Sequence, residues 1–570
     1  MQYYITNQSK YNHVLFISFY TKYATILYMF LRSVTDLYGL KLPAALITRL
    51  RHGRYSGWRL FYWFWHASTF QAERELTDAE RSVAVLLSLG MLGQIAFGGG
   101  LLIDWVRHGT AGTWAFGLAL LLSYPLVWTH IVIVFAWMGN IVWGILHPKK
   151  AARAFVCATL EMQVRQLRAR HRFKVVAVVG SMGKTSTKLA IAELLEHGGL
   201  RVRYQTGNYN DRVTVPLIFF GLNEPSLYNM FAWLKVLGAT QAQIALPYPY
   251  DVVVVELGTD GPGQMEQFAY IKPDVTVVTA ISEEHMEFFG TLDRVASEEL
   301  VVFDYSKQVL VNGDDTPGAY LVDREFMEYS VQSERAQYWG MTQSRGLQGE
   351  TLKVKMPHTS LSADIHFLGE QGAKIALGAV ATADLLGVGE KEIAKGLLEL
   401  RPFSGRMQVL DGVKDATLID DTYNAAPRTA KAALDVLYAT RTDQRIAILG
   451  DMNEMGDYSP EAHREVGVYC NAKKLDMVIT IGHSAKKWLA PAAREQGCAV
   501  HSFDNPHDAG AYVLSKLQKG GVVLAKGSQN GVFAEEALKP LLADPTDAAK
   551  LVRQSPYWLT RKERQLGSKV

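Results

Sequence analysis

The apolar run Val175-Val176-Ala177-Val178-Val179 breaks into Gly180-Ser181-Met182-Gly183-Lys184-Thr185-Ser186 and then into a helical pattern. Few folds accept that order: a buried strand, a tight glycine turn, and a helix that begins where the turn ends. At such a helix start, backbone N–H groups can close around phosphate oxygens, a lysine can reach the outer phosphates, and a hydroxyl can face magnesium. Gly180, Ser181, Gly183, Lys184, Thr185 and Ser186 are therefore candidate nucleotide-binding residues. The spacing is the short form, since Val178 stands where the longer motif has its outer glycine, and an ordinary glycine turn is the plain alternative.

At 570 residues the chain exceeds one core, and its average composition hides a division. Ser82–Ile103 carries no charge and matches the length of a membrane-crossing helix. Trp114–Leu146 lacks Asp, Glu, Lys and Arg and exceeds one crossing, which predicts a tilt or a break near Pro125. Residues 82–147 thus read as a transmembrane hairpin with a short loop, Asp104–Gly112. The alternative is a buried helical pair in a soluble domain. Basic residues crowd both outer flanks, with Lys41, Arg49, Arg51, Arg54 and Arg59 before the hairpin and Lys149, Lys150, Arg153, Arg165 and Arg168 after it. The positive-inside rule places both flanks, and all that follows, in the cytoplasm.

Residues 1–81 read as a basic, aromatic membrane-proximal region in which Val14–Leu31 either spans or lies at the interface. Arg49–Phe70 interleaves arginines with Trp58, Tyr62, Trp63 and Trp65, which suits a membrane-surface helix, and no nucleic-acid partner is expected. Residues 148–173 read as a basic linker helix. Cys157, Cys470 and Cys498 are scattered, fit reduced thiols and form no metal pattern.

From Lys174 onward, Val/Ile-rich runs alternate with helical patterns, the mark of α/β domains built on mostly parallel sheets. One domain covers 174–400, a second Rossmann-like domain covers 401–545, and 546–570 reads as a loosely held tail. Asp251–Glu256 is a buried strand ending in a carboxylate, and Val275–Thr279 leads to Ser282-Glu283-Glu284-His285. Ligands gather at the carboxyl ends of such strands, so Glu256 is placed to hold magnesium and His285 to share the site. A helix-capping glutamate and a surface histidine are the plain alternatives.

These pieces in this order resemble the Mur ligase family, ATP-dependent ligases that build the peptide of peptidoglycan. Ile419-Asp420-Asp421-Thr422-Tyr423-Asn424-Ala425-Ala426-Pro427, Lys431-Ala432-Ala433-Leu434, Ile448–Gly456, Thr206-Gly207-Asn208-Tyr209-Asn210 and Lys526-Gly527-Ser528 are similar to its MurF type, the branch that adds D-alanyl-D-alanine. The likeness covers roughly residues 174–540. It implies that a substrate carboxylate takes the γ-phosphoryl group of ATP and that an amine then displaces phosphate, with charge neutralisation and positioning doing the catalysis.

The resemblance assigns catalytic roles to Lys184, Glu256, His285, Glu299 and Arg406, nucleotide contacts also to Asp421 and Tyr423, and two magnesium ions to Thr185, Glu256, His285 and Glu299. It assigns substrate contacts to Thr206, Asn208, Asn210, Asn424, Asp451 and Lys526. The implied partners are D-Ala-D-Ala, a muramoyl-peptide precursor either linked to uridine diphosphate or to lipid, and membrane lipid, at the cytoplasmic membrane of a bacterium. Three departures stand out. Glu299 replaces the lysine that many members carbamylate; Gln371 and Ile375 replace the His and Asn of the MurF pattern, which leaves ATP and GTP both open; and the apolar N-terminal segment replaces the usual domain that grips uridine diphosphate.

Overall fold

The computed structural model describes residues 37–567 apart from 39–40, 53–56, 68–69, 71, 73–75, 111, 208, 227–228 and 530, so Val14–Leu31 and Asn208 lie outside the described residues. The chain divides into two compact units at Ala154–Phe155.

In the first unit, helices Asp78–His108 and Thr113–Leu146 form an antiparallel hairpin. The first, and Thr113–Gly139 of the second, are long and apolar enough to cross a membrane by length and composition. Asp78–His108 starts in a capping box, where Glu80 accepts from Thr77 N at 2.9 Å, and stops at Gly109 in the left-handed region. The helices meet closely at Gly98 and Gly117, where a Cβ on either would stand 2.7–3.0 Å from the other's carbonyl oxygen. Of the tilt or break expected near Pro125, the break does not occur, and the helix runs through the proline. Carbonyls on either side of the proline's missing bond gain side-chain donors, Gln94 to Leu120 at 3.0 Å and Tyr38 to Leu122 at 2.7 Å. The expected surface helix over Arg49–Phe70 is instead two short helices, Leu42–His52 and Gly57–His66. They bury Leu42, Leu46, Leu60 and Phe64 against Met91, Tyr124 and Ile133 of the hairpin, while Trp58, Tyr62 and Trp65 stay exposed.

The second unit carries two sheets. Strands β1 (Lys174–Val179), β2 (Val202–Arg203), β3 (Val252–Glu256), β4 (Val275–Val278), β5 (Val309–Asn312), β6 (Met327–Ser330), β7 (Tyr338–Ser344), β8 (Glu350–Lys355) and β9 (Ser360–Ile365) lie in the order β2-β3-β1-β4-β5-β6-β7-β8-β9. Pairing is parallel as far as β7 and antiparallel beyond it. Alternate residues of β1 enter opposite cores. Val176 and Val178 pack with helices Lys184–His197 and Gly369–Leu385, and Val175, Ala177 and Val179 pack with helices Pro148–Arg170 and Thr214–Phe220. The helix read as a basic linker is thus half buried in the unit through Val156, Cys157, Leu160, Val164 and Leu167.

The second sheet holds β10 (Gln408–Asp411), β11 (Thr417–Asp421), β12 (Arg445–Gly450), β13 (Met477–Ile481), β14 (Val500–Phe503) and β15 (Val522–Lys526) in the order β10-β11-β15-β12-β13-β14, parallel except for β10. Residues 546–570, expected to be loose, are packed as far as they are described. Leu551 joins the core under this sheet, and Lys562 is fully buried, 2.9 Å from Glu535 and 2.6 Å from Glu536. Two buried carboxylates demand cations, and the tail supplies them.

Candidate active site

In the first sheet β3, β1 and β4 are neighbours, so their carboxyl ends bring Glu256, the glycine turn and the 282–285 segment together. Gly180 has φ +118° and a Cβ there would meet Ala280 N and O at 2.8 and 2.7 Å, so the turn requires glycine at this point. The loop is pinned to the exit of β4. Ser181 N donates to Ala280 O at 2.8 Å, Ser282 N donates to Ser181 Oγ at 2.9 Å, and Thr279 Oγ1 donates to Met182 O at 2.6 Å. Helix Lys184–His197 starts at Gly183, which brings no capping side chain, and Ser181–Ser186 lines the cleft. This is the form of an anion-binding helix start.

Lys184 Nζ lies 3.1 Å from Glu284. Burial alone would lower its pKa, but Glu284, Glu299 and Glu256 more than offset this and raise it. Glu256 is nearly fully buried and accepts from Thr185 Oγ1 at 3.3 Å, Lys188 Nζ at 3.1 Å and Asn210 Nδ2 at 3.4 Å. Lys188 escaped the sequence reading. Its signal is its position one helical turn after Lys184, on the same face of the helix.

His285, in the left-handed region at φ 51°, sits 3.1 Å from Glu454 through Nδ1 and 3.6 Å from Glu284 through Nε2. Burial works to lower its pKa, and Glu454 with Glu284 outweighs burial and raises it. Glu454 belongs to the second sheet's domain, whose Gly456 packs against the backbone of Glu287 so closely that a Cβ would stand 2.9 Å from its Cα. Arg428 of that domain likewise pairs with Asp315 of the first. The two domains therefore enclose one cleft of about 1030 Å³.

The opposite wall comes from β11 and β15, adjacent and in register at Asp421 and Lys526. Lys526 Nζ lies 2.5 Å from Asp421 and 3.0 Å from Asn424 O, and burial lowers its pKa against the pull of Asp421. Arg406 stacks on the Tyr423 ring at 4.1 Å. Behind this loop, Arg553 donates to the carbonyls of Thr422 (2.6 Å) and Tyr423 (3.1 Å) while paired with Glu535 at 2.7 Å. Nothing in the sequence pointed to Arg553, which lies in the supposed tail.

The cleft collects Ser181, Gly183, Lys184, Thr185, Ser186, Asn210, Glu256 and His285 from one side and Arg406, Asp421, Tyr423, Asn424 and Lys526 from the other. Ile375 and Gln371 also line it. Gly180 and Glu299 sit behind the loop instead, with Glu299 Oε2 accepting from Gly180 N at 3.0 Å and burial pushing its carboxyl up to about 7, against the pull of Lys184. Thr206 is exposed and away from the cleft. Asp451 is not in its lining either; its carboxylate accepts from Ala485 N at 2.6 Å, which holds the turn after β13.

The donor set fits one magnesium ion, since the Thr185 hydroxyl and Glu256 carboxylate are adjacent hard oxygen ligands on the cleft wall. His285 lines the cleft while Glu299 is held behind the loop by Gly180 N, and among the described residues no group of three or more His, Cys, Asp or Glu side chains could hold a metal.

A phosphate-binding turn facing a basic, aromatic wall across a two-domain cleft defines a class of nucleotide-using α/β enzyme. Residues 178–383 match the Mur ligase middle domain and 405–529 the Mur ligase glutamate ligase domain. The chain belongs to the Mur ligase family. It is 25% identical over 382 residues to the UDP-N-acetylmuramoyl-tripeptide--D-alanyl-D-alanine ligase of Bacillus subtilis (strain 168), covering 65% of this chain and 76% of that one. The enzyme of the same name from Synechocystis is 28% identical over 385 residues, covering 66% of this chain and 76% of that one. In fold it is similar to MurF from Acinetobacter baumannii (TM-score 0.55, 22% identity, 68% of this chain and 80% of that one) and to MurF ligase from Thermotoga maritima in complex with ADP (TM-score 0.54, 21% identity, 67% and 82%).

Proposed function

We propose that this chain is an ATP-dependent ligase that joins D-alanyl-D-alanine to the carboxylate of a muramoyl-peptide precursor. The observation that carries the reading is the single cleft in which the phosphate loop faces Arg406, Tyr423, Asp421 and Lys526. In the reaction a carboxylate oxygen attacks the γ-phosphorus of ATP and ADP leaves; the amine nitrogen then attacks the resulting acyl phosphate, phosphate leaves, and the amine gives up a proton. No protein nucleophile is needed, only alignment and neutralised charge. Lys184 and the N–H groups of the loop hold the outer phosphates, and Arg406, kept flat on Tyr423, adds a second cation from the other domain. Thr185 and Glu256 would hold magnesium, which when bound neutralises phosphate charge. The contacts His285–Glu454 and Asp315–Arg428 support closure of the domains around the acyl phosphate, excluding water from it.

The two apolar helices support a membrane anchor, and the basic flanks support a cytoplasmic catalytic unit in a bacterial membrane. The acceptor is then either the soluble uridine-diphosphate tripeptide or its lipid-linked form. The test is phosphate release by the detergent-solubilised full chain with ATP, magnesium and D-Ala-D-Ala, each acceptor supplied in turn and the product weighed by mass spectrometry. Acceptor-dependent phosphate release with the matching ligated mass is expected. Release without ligation, or none with either acceptor, would overturn the reading.

A further inference from the structure

Helices Pro148–Arg170 and Met230–Ala245 lie side by side. Gln163 donates to Leu237 O at 3.0 Å and accepts from Thr240 Oγ1 at 2.7 Å, Arg170 donates to Ala245 O at 3.3 Å, and Val156, Cys157 and Leu160 share one apolar cluster with Trp233 and Leu237. The partners stay 74–77 residues apart from one end to the other, so the helices run in the same direction. That register sets Met230 and Phe231 at the same height along the pair as Phe155 and Val156. Met230, Phe231 and Leu234 are 54%, 80% and 55% exposed, and Phe155 is 63% exposed. Four large apolar side chains thus stand uncovered at one end of the helix pair.

That end is where the chain leaves the apolar helix. Only His147 separates Leu146 from Pro148, and Phe155 follows within two turns of the helix that starts there. The first two turns also carry Lys149, Lys150 and Arg153, with no acidic residue before Glu161. Resting on the reading that the hairpin spans a membrane, we infer that the catalytic unit does not hang free but docks on the bilayer, with Met230, Phe231, Leu234 and Phe155 inserted at the headgroup–acyl boundary. An apolar tip with lysine and arginine just before it in the chain is the chemistry that an anionic lipid surface takes up. The same apolar cluster includes Val213 and holds Tyr209, and the intervening Asn210 and Asp211 form part of the cleft wall, so docking holds that wall near the membrane surface.

The test uses the full chain in lipid nanodiscs containing phosphatidylglycerol, spin-labelled at Phe231→Cys and, separately, at Leu234→Cys. The native cysteines are buried and leave the new thiol as the reactive one, and both target side chains are exposed, so neither change removes core packing. Leu89→Cys in the hairpin and Val468→Cys on the surface of the second domain serve as references. Docking predicts that labels at 231 and 234 follow the one at 89, with a severalfold higher oxygen-to-nickel accessibility ratio than at 468. A lipid-like label at 89 with water-like labels at 231 and 234 would overturn the docking and leave the span standing. A water-like label at 89 would remove the membrane reading and the docking with it. Labels at 231 and 234 shielded from both reagents would mean that a protein partner covers the tip, which also overturns the inference.

Discussion

Replacing Glu299 by Gln and by Ala separates two roles for this side chain. Its carboxyl is buried behind the phosphate loop, accepts from Gly180 N at 3.0 Å and is pushed by burial from 4.5 to about 7, with Lys184 pulling it down. A raised value in the folded state means that folding takes up a proton. The group's stabilising contribution is complete below about pH 4.5 and is lost as pH rises through about 7. The rise corresponds to about 3 kcal/mol. Gln is neutral at every pH and keeps an acceptor for Gly180 N. In EDTA and without nucleotide, Glu299→Gln should therefore match the parent near pH 4.5 and exceed it at pH 8 by up to about 3 kcal/mol, or roughly 5–10 °C for a domain of this size. Glu299→Ala is also neutral but leaves the Gly180 N–H without its partner, so it should lie about 1–3 kcal/mol below Glu299→Gln at both pH values, and below the parent only near pH 4.5. Scanning calorimetry of the detergent-solubilised chain at the two pH values reads these differences. A Gln variant whose Tm tracks the parent across pH would refute the argument. In activity, Gln should retain nucleotide binding where Ala loses it, whereas equal loss in both would show that the negative charge itself is required, as a magnesium ligand.

Gly180→Ala drives a Cβ onto Ala280 N and O at a φ of +118°, so it should weaken binding of a fluorescent ATP analogue by more than about tenfold, and unchanged affinity would mean that the loop can shift freely. Lys188→Met leaves the buried Glu256 carboxylate without its cation and should lower stability by about 3–5 kcal/mol, read as a fall in Tm. Arg553→Ala releases the carbonyls of Thr422 and Tyr423, and the KM for ATP should rise by about 10–100-fold with kcat less affected and partial recovery in Arg553→Lys; a kcat loss at constant KM would contradict a positioning role. With Glu at 299 no lysine is available there for carbamylation, so adding bicarbonate to degassed assays should leave the rate unchanged, and stimulation would oppose this.

Local pattern was enough to locate the parallel strands, because β1, β3, β4, β11, β12, β13 and β15 are short Val/Ile-rich runs buried on both faces, which few other structures tolerate. It was enough for the phosphate loop too, since Gly180 and Gly183 occupy backbone conformations that only glycine adopts readily. The charge-free runs Ser82–Ile103 and Trp114–Leu146 likewise declare themselves, as lipid or a core must cover them. Around Pro125 the chain alone left a tilt or a break open, and the helix runs through it, with the flanking carbonyls of Leu120 and Leu122 taking the donors Gln94 and Tyr38 from other elements.

What the sequence alone determined is therefore what depends on neighbours along the chain: strand runs, the glycine turn, apolar helices and the motifs that carry the family. Tertiary structure decided which of those residues meet. It took Glu299, Thr206 and Asp451 out of the cleft, set Glu454 against His285, brought Lys188 to Glu256, and turned a supposed loose tail into the brace formed by Arg553 and Lys562. The physical reason is that buried charges must find partners of opposite sign wherever the fold provides them, and those partners lie tens to more than a hundred residues away, beyond any spacing rule.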